Sequence, residues 1–289
     1  MSSVRIAGAP ISWGVCEVPG WGHQLDAGRV LAEMRALGLT ATEFGPDGFL
    51  PAEPAARAQL LGEHGLQAVG GFLPVVLHDP DVDPLPAVDL FVDACLATGA
   101  DVMVLAAVTG ADGYDARPEL DDAGWSTLLA RADAIAAVTA AHGIVTALHP
   151  HVGTMVETSD DVERVLTGAR VGLCLDTGHL LAGGTDPVAL ACEHADRVVH
   201  VHLKDLDAGV AQQVRSGDLA YIDAVPRGLF TALGRGDIDV AALVRALVDA
   251  GYDGWFVLEQ DVMLDVEPAG EGPVAEVRAS LEHLREVLR

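Results

Sequence analysis

Cationic side chains are scarce in this sequence. Its 289 residues carry 17 Lys plus Arg against 43 Asp plus Glu, a formal net charge of -26 with histidine neutral. Such a field repels nucleic-acid phosphates and anionic membrane surfaces. The basic residues are scattered singly, so neither partner is expected. Cysteine is sparse too. Cys16, Cys95, Cys174 and Cys192 lie far apart with no C-x-x-C pair, which suits reduced thiols and argues against a disulfide framework or a zinc-thiolate site. No apolar run is long enough to span a bilayer, and "MSSVRIAGAP" has no charged leader followed by a long apolar stretch. A soluble, cytoplasmic protein is expected. Also missing is a G-x-G-x-x-G after the first expected strand, which runs instead into "APISWG". No glycine-rich loop carries a lysine; "GRGDID" at Gly234–Asp239 comes nearest and reads as a turn opening a helix. Dinucleotide and phosphate sites are therefore not expected.

What is present is apolar and periodic. Half the residues are hydrophobic, enough for a sizeable core. Short β-rich runs fall at 4–8, 39–44, 67–73, 101–106, 144–149, 171–176, 197–203 and 254–259. Between them lie segments such as "LDAGRVLAEMRALG" and "DVAALVRALVDAG", with apolar positions at three- and four-residue spacing and a closing glycine. Eight strand-helix units without a linker-like break predict an α/β protein, a single (β/α)₈ TIM barrel over residues 1–289.

One stretch carries polar groups where apolar ones would serve. In "RVVHVHLKDLD" (Arg197–Asp207) the strand period of two puts His200, His202 and Lys204 on one face and Val199, Val201 and Leu203 on the other. The same parity groups Gly172, Cys174 and Asp176, and Trp255, Val257 and Glu259. Active sites of such barrels lie at the C-terminal strand ends. There the sequence places Glu43 (second strand), His149 with His151 beyond it (fifth), Asp176 (sixth), His202 and Lys204 (seventh) and Glu259 (eighth). A single His or Asp at a strand end is usually a hydrogen-bonded structural group. Several in succession would cost several kcal/mol to bury without a partner, which a divalent cation supplies. Mixed imidazole and carboxylate ligands suit Mn²⁺, Co²⁺, Fe²⁺ or Zn²⁺; an ion-paired network around Lys204 is the alternative.

At "LHPHVGTMVET", "LCLDTGH", "DRVVHVHLKD" and "GWFVLEQD" the sequence resembles the inosose dehydratases, members of the xylose-isomerase-like superfamily of metal-dependent sugar isomerases and epimerases. The likeness begins at "APISWG" and "TEFGPDGFLP" and covers nearly the whole chain. It implies one divalent metal, Mn²⁺ or Co²⁺ foremost, held by His149, Asp176, His202 and Glu259. His149 stands where related barrels place a Glu, and His151 is the substitute ligand. The implied activity is a hydro-lyase step in inositol catabolism that removes water from a keto-inositol; the alternative is a ketose epimerase or isomerase on an unphosphorylated sugar. Epimerases of this superfamily use two opposed glutamates, and the first is His149 in this chain. Dehydration needs a Lewis acid on the ketone, a base for the adjacent C–H and an acid for the departing hydroxyl.

Lys204, His179, Glu259 and His151 are the catalytic candidates that follow, with base and acid unassigned between Lys204 and His179. A nearby cation and desolvation are expected to lower the Lys204 pKa. Trp13, Glu43, His151 and His179 are the expected substrate contacts. Trp13 and Trp21 each stack on a ring or wall the pocket by packing. Glu43 bonds a hydroxyl or pairs with a cation. Arg215 and Arg227 lie in a long segment after the seventh strand that could cover the substrate. Self-association into a homo-oligomer is left open. A phosphodiesterase of the endonuclease IV type needs a basic surface that this chain lacks. A non-catalytic sugar-binding protein would be expected to carry a secretion signal.

Overall fold

In the computed structural model, which describes residues 4–115 and 117–289, the expected strands are all present with ends shifted by a few residues. They are β1 (Arg5–Gly8), β2 (Ala41–Thr42), β3 (Gln67–Ala68), β4 (Gly70–Val75), β5 (Val102–Ala107), β6 (Val145–Leu148), β7 (Gly172–Asp176), β8 (Val198–Leu203), β9 (Asp205–Leu206), β10 (Phe230–Thr231) and β11 (Trp255–Leu258). Nine segments form a parallel sheet in the order β3-β2-β1-β11-β8-β7-β6-β5-β4. Its two ends are pieces of one chain run. Val69 between them donates to the Thr42 carbonyl at 3.0 Å and accepts from Val102 N–H at 3.1 Å. The expected third strand is thus one strand with a kink, and eight strands close the barrel. The kink sits at Gly70, whose φ is +134° and where a Cβ would fall 1.7 Å from the Val102 carbonyl oxygen. Only glycine fits there.

The helices are α1 (Ala27–Ala36), α2 (Pro54–Glu63), α3 (Leu85–Thr98), α4 (Asp122–Ala140), α5 (Ser159–Gly168), α6 (Thr177–Gly183), α7 (Pro187–Glu193), α8 (Ala208–Arg215), α9 (Tyr221–Ala224), α10 (Val240–Asp249) and α11 (Val274–Val287). Local chemistry starts them: Thr158 and Asp161 form a reciprocal capping box at α5, and Asp26 accepts from Gly28 N–H at α1. The outward strand residues Leu173, Leu175, Val201, Leu203, Phe256 and Leu258 pack into the layer that includes Met34, Leu128 and Leu243 of the helices. Each such side chain contributes about 1.5–3 kcal/mol on burial. Small inward residues, among them Ala7, Ala41, Val104 and Ala147, fill a second, inner cluster. No helix among the described residues is long and apolar enough to cross a membrane.

One expected orientation is corrected. Leu173 pairs with Val198 but Cys174 pairs with His200, so β8 carries an extra residue at Val199. The bulge turns Val199 inward, against the inner cluster and over Gly172, rather than outward with Val201 and Leu203. His200, His202 and Lys204 keep their inward face. The "GRGDID" turn folds around Asp205, whose carboxylate accepts from Gly234, Gly236 and Ile238 N–H at 2.9, 3.0 and 3.1 Å. It leads into α10, capped by Asp239.

Candidate metal and catalytic site

The D-T-G-H run at the end of β7 organises the site. Asp176 ends the strand and caps α6, its Oδ1 accepting from His179 N–H at 2.8 Å. Thr177 Oγ1 accepts from Lys204 N–H at 2.9 Å and donates to the Lys204 carbonyl at 2.5 Å, which ties β7 to the end of β8. A Cβ at Gly178 would meet Lys204 Cγ at 2.4 Å, so glycine leaves room for the lysine stem. His149 follows β6 directly, with its Nδ1 donating to the Pro150 carbonyl at 2.8 Å, which leaves Nε2 bare.

These constraints bring four strand ends together. His149 Nε2 and His202 Nδ1 each lie 3.6 Å from Asp176 Oδ2, and His202 Nδ1 also touches Glu259 Oε2. One donor atom from each of His149, Asp176, His202 and Glu259 lies within 4.8 Å of the other three. His151 falls outside this set: its Nδ1 donates to the Val152 carbonyl at 2.7 Å and its ring stacks on His179 at 3.6 Å between centroids. Asp176 Oδ2, His202 Nδ1 and Glu259 Oε2 are buried together and, apart from ion-pair contacts with one another and with Lys204, make no hydrogen bond. A buried polar atom left without any partner costs about 1–3 kcal/mol, and these contacts offset that cost only in part. Two imidazoles and two carboxylates aimed at one point fit a divalent cation, which satisfies them together. Cys174, inward on β7, groups with His149 and His202 in a second constellation. Burial pushes its thiol up to about 11, so it stays protonated near neutrality.

Lys204 is fully buried and faces three carboxylates: Asp261 Oδ1 at 2.8 Å, Asp176 Oδ2 at 3.0 Å and Glu259 Oε2 at 3.6 Å. Burial favours the neutral amine, but Asp176, Asp261 and Glu259 outweigh it and hold the pKa well above the ordinary lysine value. This corrects the expected lowering. The three carboxylates favour the ammonium, the form that donates. Burial sends two of the imidazoles the other way: His149 falls to about 3 despite Asp176, and His151 to about 3 with the Lys204 charge adding to burial. At His202 burial is outweighed by its neighbours, Glu259 and Glu43 among them, and the pKa rises well above the ordinary imidazole value. Glu43 would be raised by burial, but His202 and His200 hold it well below the usual carboxylate range.

Above these groups opens a cavity walled in part by Trp21, Phe72, Tyr114, His151 and Tyr221. The structure corrects Trp13. That indole is fully buried, bonded through Nε1 to Glu33 at 2.9 Å, and packs in the outer core away from the cavity. Trp21 reaches the wall instead. From the long segment after β8, Tyr221 arrives rather than an arginine: its hydroxyl donates to Asp261, while Arg215 bonds Gln212 and the Leu181 carbonyl at the surface and Arg227 is exposed. Sequence reasoning missed Asp261 and Tyr221. Asp261 had a signal, since two residues past Glu259 it continues the inward parity. A further signal lies in the composition: Lys204 is the only lysine in the chain.

Imidazoles, carboxylates and one ammonium at the C-terminal ends of a closed parallel barrel define an enzyme-type site on a TIM barrel. The sequence matches the family described as the xylose isomerase-like TIM barrel over residues 31–287, and the chain belongs to that family. It is 37% identical over 274 residues to the rhizopine catabolism protein MocC of Rhizobium meliloti, covering 90% of this chain and 82% of that protein. Inosose dehydratase of Geobacillus kaustophilus is 33% identical over 293 residues, covering 97% and 93%. Among solved structures, the IolI protein with a bound zinc atom superposes with a TM-score of 0.68 at 15% identity, covering 99% of this chain and 98% of that one. That last likeness is one of fold.

Proposed function

We propose that this protein is a divalent-metal-dependent hydro-lyase that removes water from a keto-inositol, such as an inosose. One observation carries the reading: two imidazoles and two carboxylates, His149, Asp176, His202 and Glu259, each aim a buried donor atom at one point at the floor of a cavity. Similarity to inosose dehydratase over nearly the whole chain supports the substrate class, and the zinc atom of the IolI structure supports a metal in such a barrel. The ligand set accepts Mn²⁺, Co²⁺, Zn²⁺ or Fe²⁺.

A bound divalent ion supplies polarisation of the ketone oxygen and stabilisation of the enediolate charge. The chain's own groups move the protons. His179 accepts the Val152 N–H on Nδ1 at 3.5 Å and turns Nε2 toward Asp261 Oδ2 at 3.7 Å, so its bare nitrogen is engaged. His151 donates through Nδ1 and keeps Nε2 bare at the cavity wall. His151 is therefore assigned as the base that takes the α-proton: its low pKa keeps Nε2 unprotonated and available, while lowering its proton affinity. Lys204, held as an ammonium by Asp261 and Asp176, is assigned as the acid that protonates the departing hydroxyl. The aromatic wall encloses the polyol and keeps bulk water from the reacting carbons.

The test is to reconstitute the protein with each of these metals and offer a panel of keto-inositols and ketoses, following products by mass. Loss of one water from an inosose supports the reading. Epimerisation of a simple ketose without water loss overturns it in favour of the two-face epimerase chemistry. His149→Glu is the companion variant, since it restores the second carboxylate that such chemistry uses.

A further inference from the structure

We propose that Glu43 is a positioning residue for the metal centre: it fixes a proton on Nε2 of His202 and so leaves Nδ1 as the ligating nitrogen. The inference rests on the metal reading above. Glu43 follows β2, while His202 belongs to β8, with β1 and β11 between the two strands. Its carboxylate therefore reaches across the barrel mouth. Glu43 Oε1 lies 2.8 Å from His200 Nε2 and 3.0 Å from His202 Nε2. A carboxylate oxygen only accepts, so both nitrogens must carry hydrogen.

The opposite edge of the His202 ring is the edge that matters. An imidazole that ligates a metal through one nitrogen keeps its proton on the other, and the partner of that proton sets the ring's tautomer and angle. With Nε2–H spent on Glu43, Nδ1 faces Asp176 Oδ2 at 3.6 Å and touches Glu259 Oε2. It is also the His202 atom left without a hydrogen-bond partner. His200 is fully buried one layer below, and its own bond to the same oxygen holds the carboxylate in place from beneath. Glu43 thus acts through His202, a role different from the substrate contact expected from its strand-end position.

Selective ¹⁵N labelling of histidine, with long-range ¹H–¹⁵N correlation spectra of the Zn²⁺-loaded protein, reads the tautomer directly. The expected pattern for His202 is a protonated Nε2 and a metallated Nδ1. Zn²⁺ affinity, measured in competition with a chromophoric chelator, should fall about 10–100-fold in Glu43→Ala. Glu43→Gln keeps an acceptor oxygen and should recover part of that loss. Ligation of His202 through Nε2 in the wild type overturns the inference, and this reading needs no variant to fold. Unchanged Zn²⁺ affinity in both variants, with only KM raised, also overturns it and returns Glu43 to a direct substrate contact. Failure of the wild type to take up Zn²⁺, Co²⁺ or Mn²⁺ removes the metal reading and this inference together.

Discussion

The two ends of the barrel interior solve different problems. Toward the strand starts the inward residues are Trp255, Ala41, Val69 and Val102, with the Arg5 guanidinium 3.9 Å from the Trp255 ring centroid and within 3.8 Å of Asp101. Packing and the Arg5 contacts hold that end, with the Trp255 indole nitrogen the one polar atom among these inward residues left without a partner. Toward the strand ends the same inward face carries His149, Asp176, His202, Lys204 and Glu259, and packing leaves several of their polar atoms without partners. The difference separates what holds the cylinder together from what it was shaped to hold. Substitutions at the first end should cost stability, and those at the second should cost reaction rate.

The sharpest break of that comparison is Lys204→Met, which keeps the stem that passes Gly178 and removes the proton donor. The metal-loaded variant should lose about 10²–10⁴-fold in turnover, the usual contribution of a general acid, with its metal content retained. Near-normal turnover with metal bound would move the acid role to another group. At the opposite end, Trp255→Ala should cost about 3–5 kcal/mol of stability, as large aromatic truncations in a core do. Chemical denaturation measures the loss, and kcat well below the melting transition should stay unchanged. A fall in kcat without a stability loss would erase the division between the ends.

A smaller effect is expected between these extremes. Tyr221→Phe removes the hydroxyl that donates to Asp261, a hydrogen bond to a charged group worth about 1.5–3 kcal/mol. Because Asp261 holds Lys204, the loss should fall on kcat more than on metal affinity. The smallest effect belongs to Trp13→Phe. It removes the bond to Glu33, a part-buried carboxylate that Arg29 also engages. The loss therefore falls at the low end of the same range, about 1.5 kcal/mol, and KM should not move. A raised KM would bring Trp13 back to the cavity wall.

How much of the molecule is legible in its sequence follows the same division. Parity along a strand is a local rule, and by itself it puts Asp176, His202, Lys204 and Glu259 on inward faces. The rule fails at Val199, because a bulge changes the count without a sequence mark. Nor can it say which partner a group meets across the barrel. Glu43 reaches His200 and His202, 157 and 159 residues away, and that distance is crossed only by closing the sheet. Tyr114 comes from a loop and Tyr221 from the first position of the four-residue α9, and neither segment is long enough for periodicity to fix a direction. The direction of the Lys204 pKa shift escapes the sequence for the same reason: the third carboxylate, Asp261, lies beyond the last strand and only folding brings it to 2.8 Å.

The central claim is that the polar end of the barrel is completed by one divalent ion on His149, Asp176, His202 and Glu259. Equilibrium dialysis with elemental analysis tests it directly, comparing the wild type with Asp176→Asn and with thermal unfolding followed in parallel. The account predicts one ion per wild-type chain, a melting temperature that rises with metal concentration, and loss of both in the variant. Full occupancy and an equal thermal shift in Asp176→Asn would contradict it.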